Sequence, residues 1–149
     1  MALLPPVTNA DYRGAESSAR FLLVLAVMQG IPALIHLFLP DGGAGVIAGL
    51  DFGTSASTII GIFAWAGATQ LVHGLAMGVV ALRYRPLVPL FLALVLLERV
   101  LMSLNWWVLK PPASGHRPPE VWATLALMPL VAFFLARSLP GSRAGRGVA

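Results

Sequence analysis

Glu98 and Arg99 are adjacent charges inside an apolar stretch, LVPLFLALVLLERVLMSLNWWVL, that runs over residues 87–109. A charge near the centre of a membrane-crossing segment costs roughly 2.5–3.5 kcal/mol on insertion scales. Such residues face a protein interior or a water-filled cavity, and they mark sites of binding, ion passage or proton relay. Three further polar residues belong to the same question: Gln29, Gln70 and His73. A histidine beside a carboxylate can take and release a proton near neutral pH. Measured from one end of each apolar run at about 1.5 Å per residue, Gln29, Gln70, His73, Glu98 and Arg99 fall roughly 12–18 Å deep. The five therefore form one layer near the midplane, contributed by three helices. Neighbouring helix positions point about 100° apart, so Glu98 and Arg99 are expected to take separate partners. Gln70 or His73 is available to Glu98. Arg99 has the first helix, a bound ligand or a second subunit.

The elements that carry this layer follow from composition. The chain has 149 residues, 58% hydrophobic and 11% charged, with a mean hydropathy of +0.83. Soluble domains are roughly 45–50% apolar and about 25% charged, so a membrane class is indicated. Four apolar runs cover about 21–39, 57–82, 87–109 and 121–139. Each approaches or exceeds the roughly 20 residues needed to cross a hydrocarbon core about 30 Å thick. They lack strict alternation and are too long for strands. The expected fold is all-α: one integral membrane four-helix bundle over 21–139, with an N-terminal lead (1–20) and a basic tail (140–149). Gly67, Gly74 and Gly78 on the second helix allow close helix approach, with packing inside one chain favoured over a dimer seam.

Charge distribution sets the expected orientation. With four alternating helices, Arg13, Arg20, Arg83, Arg85, Arg137, Arg143 and Arg146 share one side. Only Lys110 and Arg117 fall opposite, beside Asp41 and Asp51. The positive-inside tendency then puts both termini in the cytoplasm. Trp106, Trp107 and Trp122 form an aromatic belt at the far interface, and Tyr84 serves the near one. Nine of the ten basic residues are Arg, which with abundant Ala, Gly, Pro and Leu suggests a bacterial, inner-membrane protein.

Several chemistries are excluded or disfavoured. There is no cysteine, hence no disulfide, thiolate metal site or thiol catalysis. His36 and His73 differ by about 10 Å in depth, a poor match for bis-histidine haem ligation. Asp41, Asp51, His116 and Glu120 have no diagnostic metal spacing. No nucleophile–base pair or phosphate loop can be placed, and no basic stripe with interleaved aromatics points to nucleic acid. No catalytic residue, metal or cofactor is assigned.

Gly30-x-Pro32 with Pro40 beyond it, a Gly-rich second span, the Arg83-Tyr84-Arg85-Pro86 turn and an Arg in the third span followed by a Pro-containing loop form a pattern. Over about residues 20–139 it resembles small four-helix bacterial membrane proteins of the DoxX-like kind. The resemblance implies the architecture. DoxX itself is associated with redox and thiol-stress complexes, and this cysteine-free chain takes no catalytic role from it. The functional expectation is a non-enzymatic protein of the bilayer, either an accessory subunit or a binder of a lipid, quinone or other hydrophobic small molecule through the midplane layer. Its partners would be a second copy, a membrane complex or that molecule. The alternative is a small proton-coupled carrier using Glu98, Arg99 and His73.

Overall fold

The computed structural model describes residues 3–141, so Arg143, Arg146 and the rest of the expected basic tail lie outside the described residues. The described chain is helical and contains no strand. Its four long helices are α1 (Glu16–Phe38), α2 (Ala56–Arg83), α3 (Val88–Leu104) and α4 (Pro119–Ser138). Beyond α3 the chain widens into a π-helical turn, Asn105–Leu109, closed by the Lys110 amide on the Asn105 carbonyl at 2.8 Å. Counting that turn with α3, all four segments are long and apolar enough to cross a membrane. This is the length and composition of a multi-pass membrane protein.

α1 starts at Glu16, well before the apolar run at Phe21. Ala15 is extended, and its amide is taken by the Arg137 carbonyl at 2.9 Å, which leaves Glu16 free to open the helix. An acidic residue in a first turn suits the helix dipole. Pro32 lies inside α1 without ending it. The lost amide leaves the Met28 carbonyl without its usual helical donor.

The N-terminal lead is a strap across one end of the molecule. The Asn9 side-chain amide donates to the Leu82 carbonyl at 2.7 Å, and the Thr8 amide donates to that of Arg83 at 3.0 Å. The Arg85 amide donates back to the Asn9 side-chain oxygen at 3.2 Å. The first two bonds satisfy carbonyls that the end of α2 would otherwise leave open. The Tyr84 hydroxyl donates to the Pro5 carbonyl at 2.8 Å. Gly14 passes against the Ser138 carbonyl so closely that any side chain there would collide with it.

Packing is uneven in two ways. α1 lies centrally: it packs along α2 and touches both α3 and α4, which pair with each other, while α2 and α3 scarcely meet. The dry core, in turn, occupies only the strap half. Leu22, Leu25, Met77, Val80, Val88, Leu92, Val95 and Val131 are buried together there. Phe21 stacks on Phe134 with ring centres 4.1 Å apart, and the buried Ser18 hydroxyl donates to the Phe134 carbonyl at 2.8 Å. Beyond Gln29 and Glu98 the interior changes character, and the buried side chains become small: Ala33, Ala44, Ala48, Val121 and Thr124.

The opposite end is closed by two loops. Asp41 accepts from the amides of Gly43 (2.8 Å), Gly45 (3.0 Å) and Val46 (2.8 Å). Gly42 and Gly43 take positive φ, which lets the turn close on the carboxylate. The His36 Nδ1–H donates to the Gly42 carbonyl at 2.6 Å, and His116 Nε2 meets the Ala48 carbonyl at 2.9 Å, tying the 110–118 loop to this one. Arg117 covers Trp107 at 4.2 Å, and Trp107 meets Trp122 edge-on at 5.1 Å.

The Val46, Gly43 and Gly45 amides hold the Asp41 carboxyl below the usual carboxylate range. A lowered folded pKa contributes order that is present above the ordinary value of 3.8 and lost as pH falls through the folded pKa. Asp41→Asn is therefore expected to speed amide exchange at Gly43, Gly45 and Val46 at neutral pH. Wild type is expected to show the same loosening only on strong acidification. Unchanged exchange in the variant would refute the role of the carboxylate.

Candidate functional site

The midplane layer lies where the dry half of the interior ends. Gln29 comes from α1, Gln70 and His73 from α2, and Glu98 and Arg99 from α3. α4 offers apolar wall here, including Ala123 and Leu127. The layer forms because each host helix is apolar enough to be buried at this depth and carries one polar turn.

Arg99 donates from Nη2 to Gln29 Oε1 at 3.0 Å. The same Nη2 lies 3.5 Å from Glu98 Oε2, and His73 Nδ1 lies 3.9 Å from that oxygen. Glu98 thus has the guanidinium on one side and the imidazole on the other, both at ion-pair distance. The expected separation of the two charges holds for their Cβ directions and fails at their tips. The guanidinium stem is long enough to reach α1 and still fold back toward its neighbour. Arg99 is the most enclosed of the three, with 15% of its side chain exposed against 32% for Glu98 and 30% for His73.

Three atoms of the layer are buried without a hydrogen-bond partner among the described residues: Gln70 Oε1, Glu98 Oε2 and Arg99 Nε. Leaving a buried polar atom unpaired costs roughly 1–3 kcal/mol, more when charged, so such atoms call for an explanation. Here they belong to residues that line a cavity of about 190 Å³. Its remaining walls are largely apolar, with Leu25, Met28, Pro32, Met77, Val95 and Met102 among them. A second, open cleft of about 350 Å³ is lined by Gln29, Thr69, Gln70, His73 and Glu98 at the loose seam between α2 and α3. Glu98, Gln29 and Gln70 face both spaces.

The glycines of α2 set how α1 lies against it. Gly67 faces the His36 Cβ and the Ala33 carbonyl, and Gly74 faces the Ala26 carbonyl. Gly78 is looser, with its nearest neighbour, the Ala26 Cβ, at 3.9 Å. Gly67 and Gly74 therefore sit inside the chain's own α1–α2 contact. This close approach brings Gln70 level with Gln29.

Some neighbours of the site were not legible as such. Glu120 lies far from the midplane by residue counting, yet it lines the same cavity as Arg99. Ser103 and Thr124 are small hydroxyl residues in apolar runs and carry no sequence signal of their own. Both have hydroxyls buried without a partner among the described residues. Among those residues no cluster of three or more His, Asp or Glu side chains is placed to hold a metal ion.

Comparison with known proteins gives no match to a family model, a curated protein or a solved structure.

Proposed function

We propose that this protein acts by binding in the plane of the bilayer: the midplane cavity takes the polar head of a lipid-soluble molecule, of the lipid or quinone class, while its apolar part lies along the cavity wall. One observation carries this reading. Gln70 Oε1, Glu98 Oε2 and Arg99 Nε are buried without a hydrogen-bond partner among the described residues, Glu98 Oε2 having only its longer ion-pair contacts to Arg99 and His73, around a cavity whose other walls are mainly apolar. Apolar walls with a few convergent polar groups are the usual form of a small-molecule site. A head with two donors and one acceptor, as in a lipid polyol or the quinol form of a quinone, would satisfy all three atoms. The role is non-enzymatic, either of the protein alone or as the ligand-holding subunit of a membrane complex.

The excess of Arg at the strap end supports a bacterial inner-membrane location with both termini in the cytoplasm. Kinship with DoxX-like proteins is part of the same proposal, on shared architecture and without a shared catalytic role. Mass spectrometry of the protein purified in nanodiscs tests the binding reading. Wild type is expected to retain a specific amphipathic molecule, and the Glu98→Gln, Arg99→Gln double variant to lose at least nine-tenths of it. Identical co-purified molecules in both would overturn the proposal.

A second reading rests on Glu98 facing spaces on both of its sides. A carboxylate so placed, with His73 beside it, suits a proton-coupled carrier. Proton uptake by liposomes that is present in wild type and abolished by Glu98→Gln would favour it.

A further inference from the structure

The midplane cavity is not the only interior space in the hollow half. Between it and the loop end lies a second, partly open space of about 120 Å³, lined by residues of all four long helices, of the loops and of the π-helical turn. His36, Met102 and Glu120 form the wall shared by the two spaces. The π turn is part of its construction, because it carries Trp106 into the lining. Such widened turns recur at functional sites.

Its chemistry differs from that of the midplane. Thr124 is 2% exposed, and its hydroxyl has no hydrogen-bond partner among the described residues. The Ser103 hydroxyl is buried and unpaired in the same sense. Both residues line this compartment. A buried threonine or serine ordinarily turns its hydroxyl onto a nearby helix carbonyl, so two unpaired ones on facing helices mark an absent partner. His36 supplies a third group. Its Nδ1 is committed to the Gly42 carbonyl at 2.6 Å. A carbonyl only accepts, so Nδ1 carries a proton, and in the neutral tautomer this leaves Nε2 as an acceptor. With the Glu120 carboxylate, the compartment therefore offers two accepting groups and two hydroxyls. No Lys or Arg lines it, and the Glu120 carboxylate at its wall disfavours anions. An anionic occupant would lose its hydration without a counter-charge.

The walls add shape. Trp106 and Phe63 present aromatic surface, with Phe63 meeting the His36 ring edge-on at 5.1 Å. The volume approaches the roughly 150 Å³ of an apolar cavity that accepts benzene. We infer that this compartment is a binding site for a neutral aromatic ring bearing a hydroxyl group: the ring lies among Trp106, Phe63 and Met102, and its hydroxyl hydrogen-bonds with Thr124, Ser103 or His36 Nε2. The site does not depend on the midplane reading, since none of its hydrogen-bonding groups belongs to that layer.

The test uses full-length protein in nanodiscs and ¹⁹F NMR titration with 4-fluorophenol, with 4-fluoroanisole as the matched ring that cannot donate. Empty nanodiscs correct for partition into lipid. Wild type is expected to bind the phenol at least tenfold more tightly than the anisole, a difference of about 1.4 kcal/mol. Thr124→Val and Ser103→Ala are expected to weaken phenol binding about fivefold each and to leave the anisole unchanged. Met102→Trp, which fills the space, is expected to abolish binding. The Glu98→Gln, Arg99→Gln variant is expected to bind the phenol as wild type does, even if the midplane proposal fails. Equal affinity for the two rings in wild type would overturn the inference without recourse to any variant. Phenol binding undiminished in Met102→Trp, or in both hydroxyl variants, would overturn it as well.

Discussion

Arg99→Leu is expected to be the most destabilising single change in the midplane layer, by roughly 3 kcal/mol, at the lower end of what breaking a buried charge pair costs. The lower end applies because Glu98 keeps about a third of its surface exposed, at 32%. Arg99 is the hub: one nitrogen serves Gln29 at 3.0 Å and stands 3.5 Å from Glu98. Removing it strands the Glu98 carboxylate and the Gln29 oxygen together. Glu98→Gln is expected to cost less, since Arg99 keeps its bond to Gln29 and no negative charge remains. Adding Glu98→Gln to Arg99→Leu should recover part of the loss, because the stranded charge is then gone. Denaturant titration in mixed micelles, followed by tryptophan fluorescence, measures all three. Equal loss in the two single variants would show that the guanidinium is no hub. Full additivity would show that the two side chains do not interact.

Gly67→Ala is expected to cost about 1–3 kcal/mol, the usual penalty for overpacking a close contact. A Cβ there would lie 2.7 Å from the His36 Cβ and 2.9 Å from the Ala33 carbonyl oxygen. Neither neighbour is the free end of a flexible side chain, so α1 and α2 must part. Gly30 and Gly78 are the controls. Nothing lies within 4 Å of a Cβ on Gly30, and the nearest atom to one on Gly78 is at 3.9 Å. Alanine at either should be neutral or stabilising by up to about 1 kcal/mol, from its better helix propensity. Thermal melts in nanodiscs distinguish the cases. A Gly67→Ala protein that melts with wild type would mean that the α1–α2 spacing is not set by this glycine. Parting of α1 and α2 would also carry Gln29 away from Gln70 and displace His36, so Gly67→Ala should lower occupancy of the midplane site.

Four helices long and apolar enough to cross a membrane, and the neighbourhood of Gln29, Gln70, His73, Glu98 and Arg99, could be read from the chain alone. Both follow from properties of single helices. Hydropathy depends on composition along a run, and depth follows from a constant rise per residue. The glycine spacing on α2 also pointed to a close approach. What rotation along one helix could not decide was the reach of a long side chain. The Cβ positions of Glu98 and Arg99 diverge, yet the guanidinium bridges Gln29 and Glu98 because α1 runs between α2 and the α3–α4 pair.

Where the interior is filled and where it is hollow emerges only when the helices meet. Large side chains from all four helices meet in the strap half, through Leu22, Met77, Leu92 and Val131. In the other half small residues and the bend of the loops leave space, and α2 stands off from α3. Periodicity within a helix cannot reveal that difference, because voids depend on which faces meet across helices. The same reason hid Ser103, Thr124 and Glu120. Their meaning comes from the cavities that they line, and a cavity belongs to no single segment.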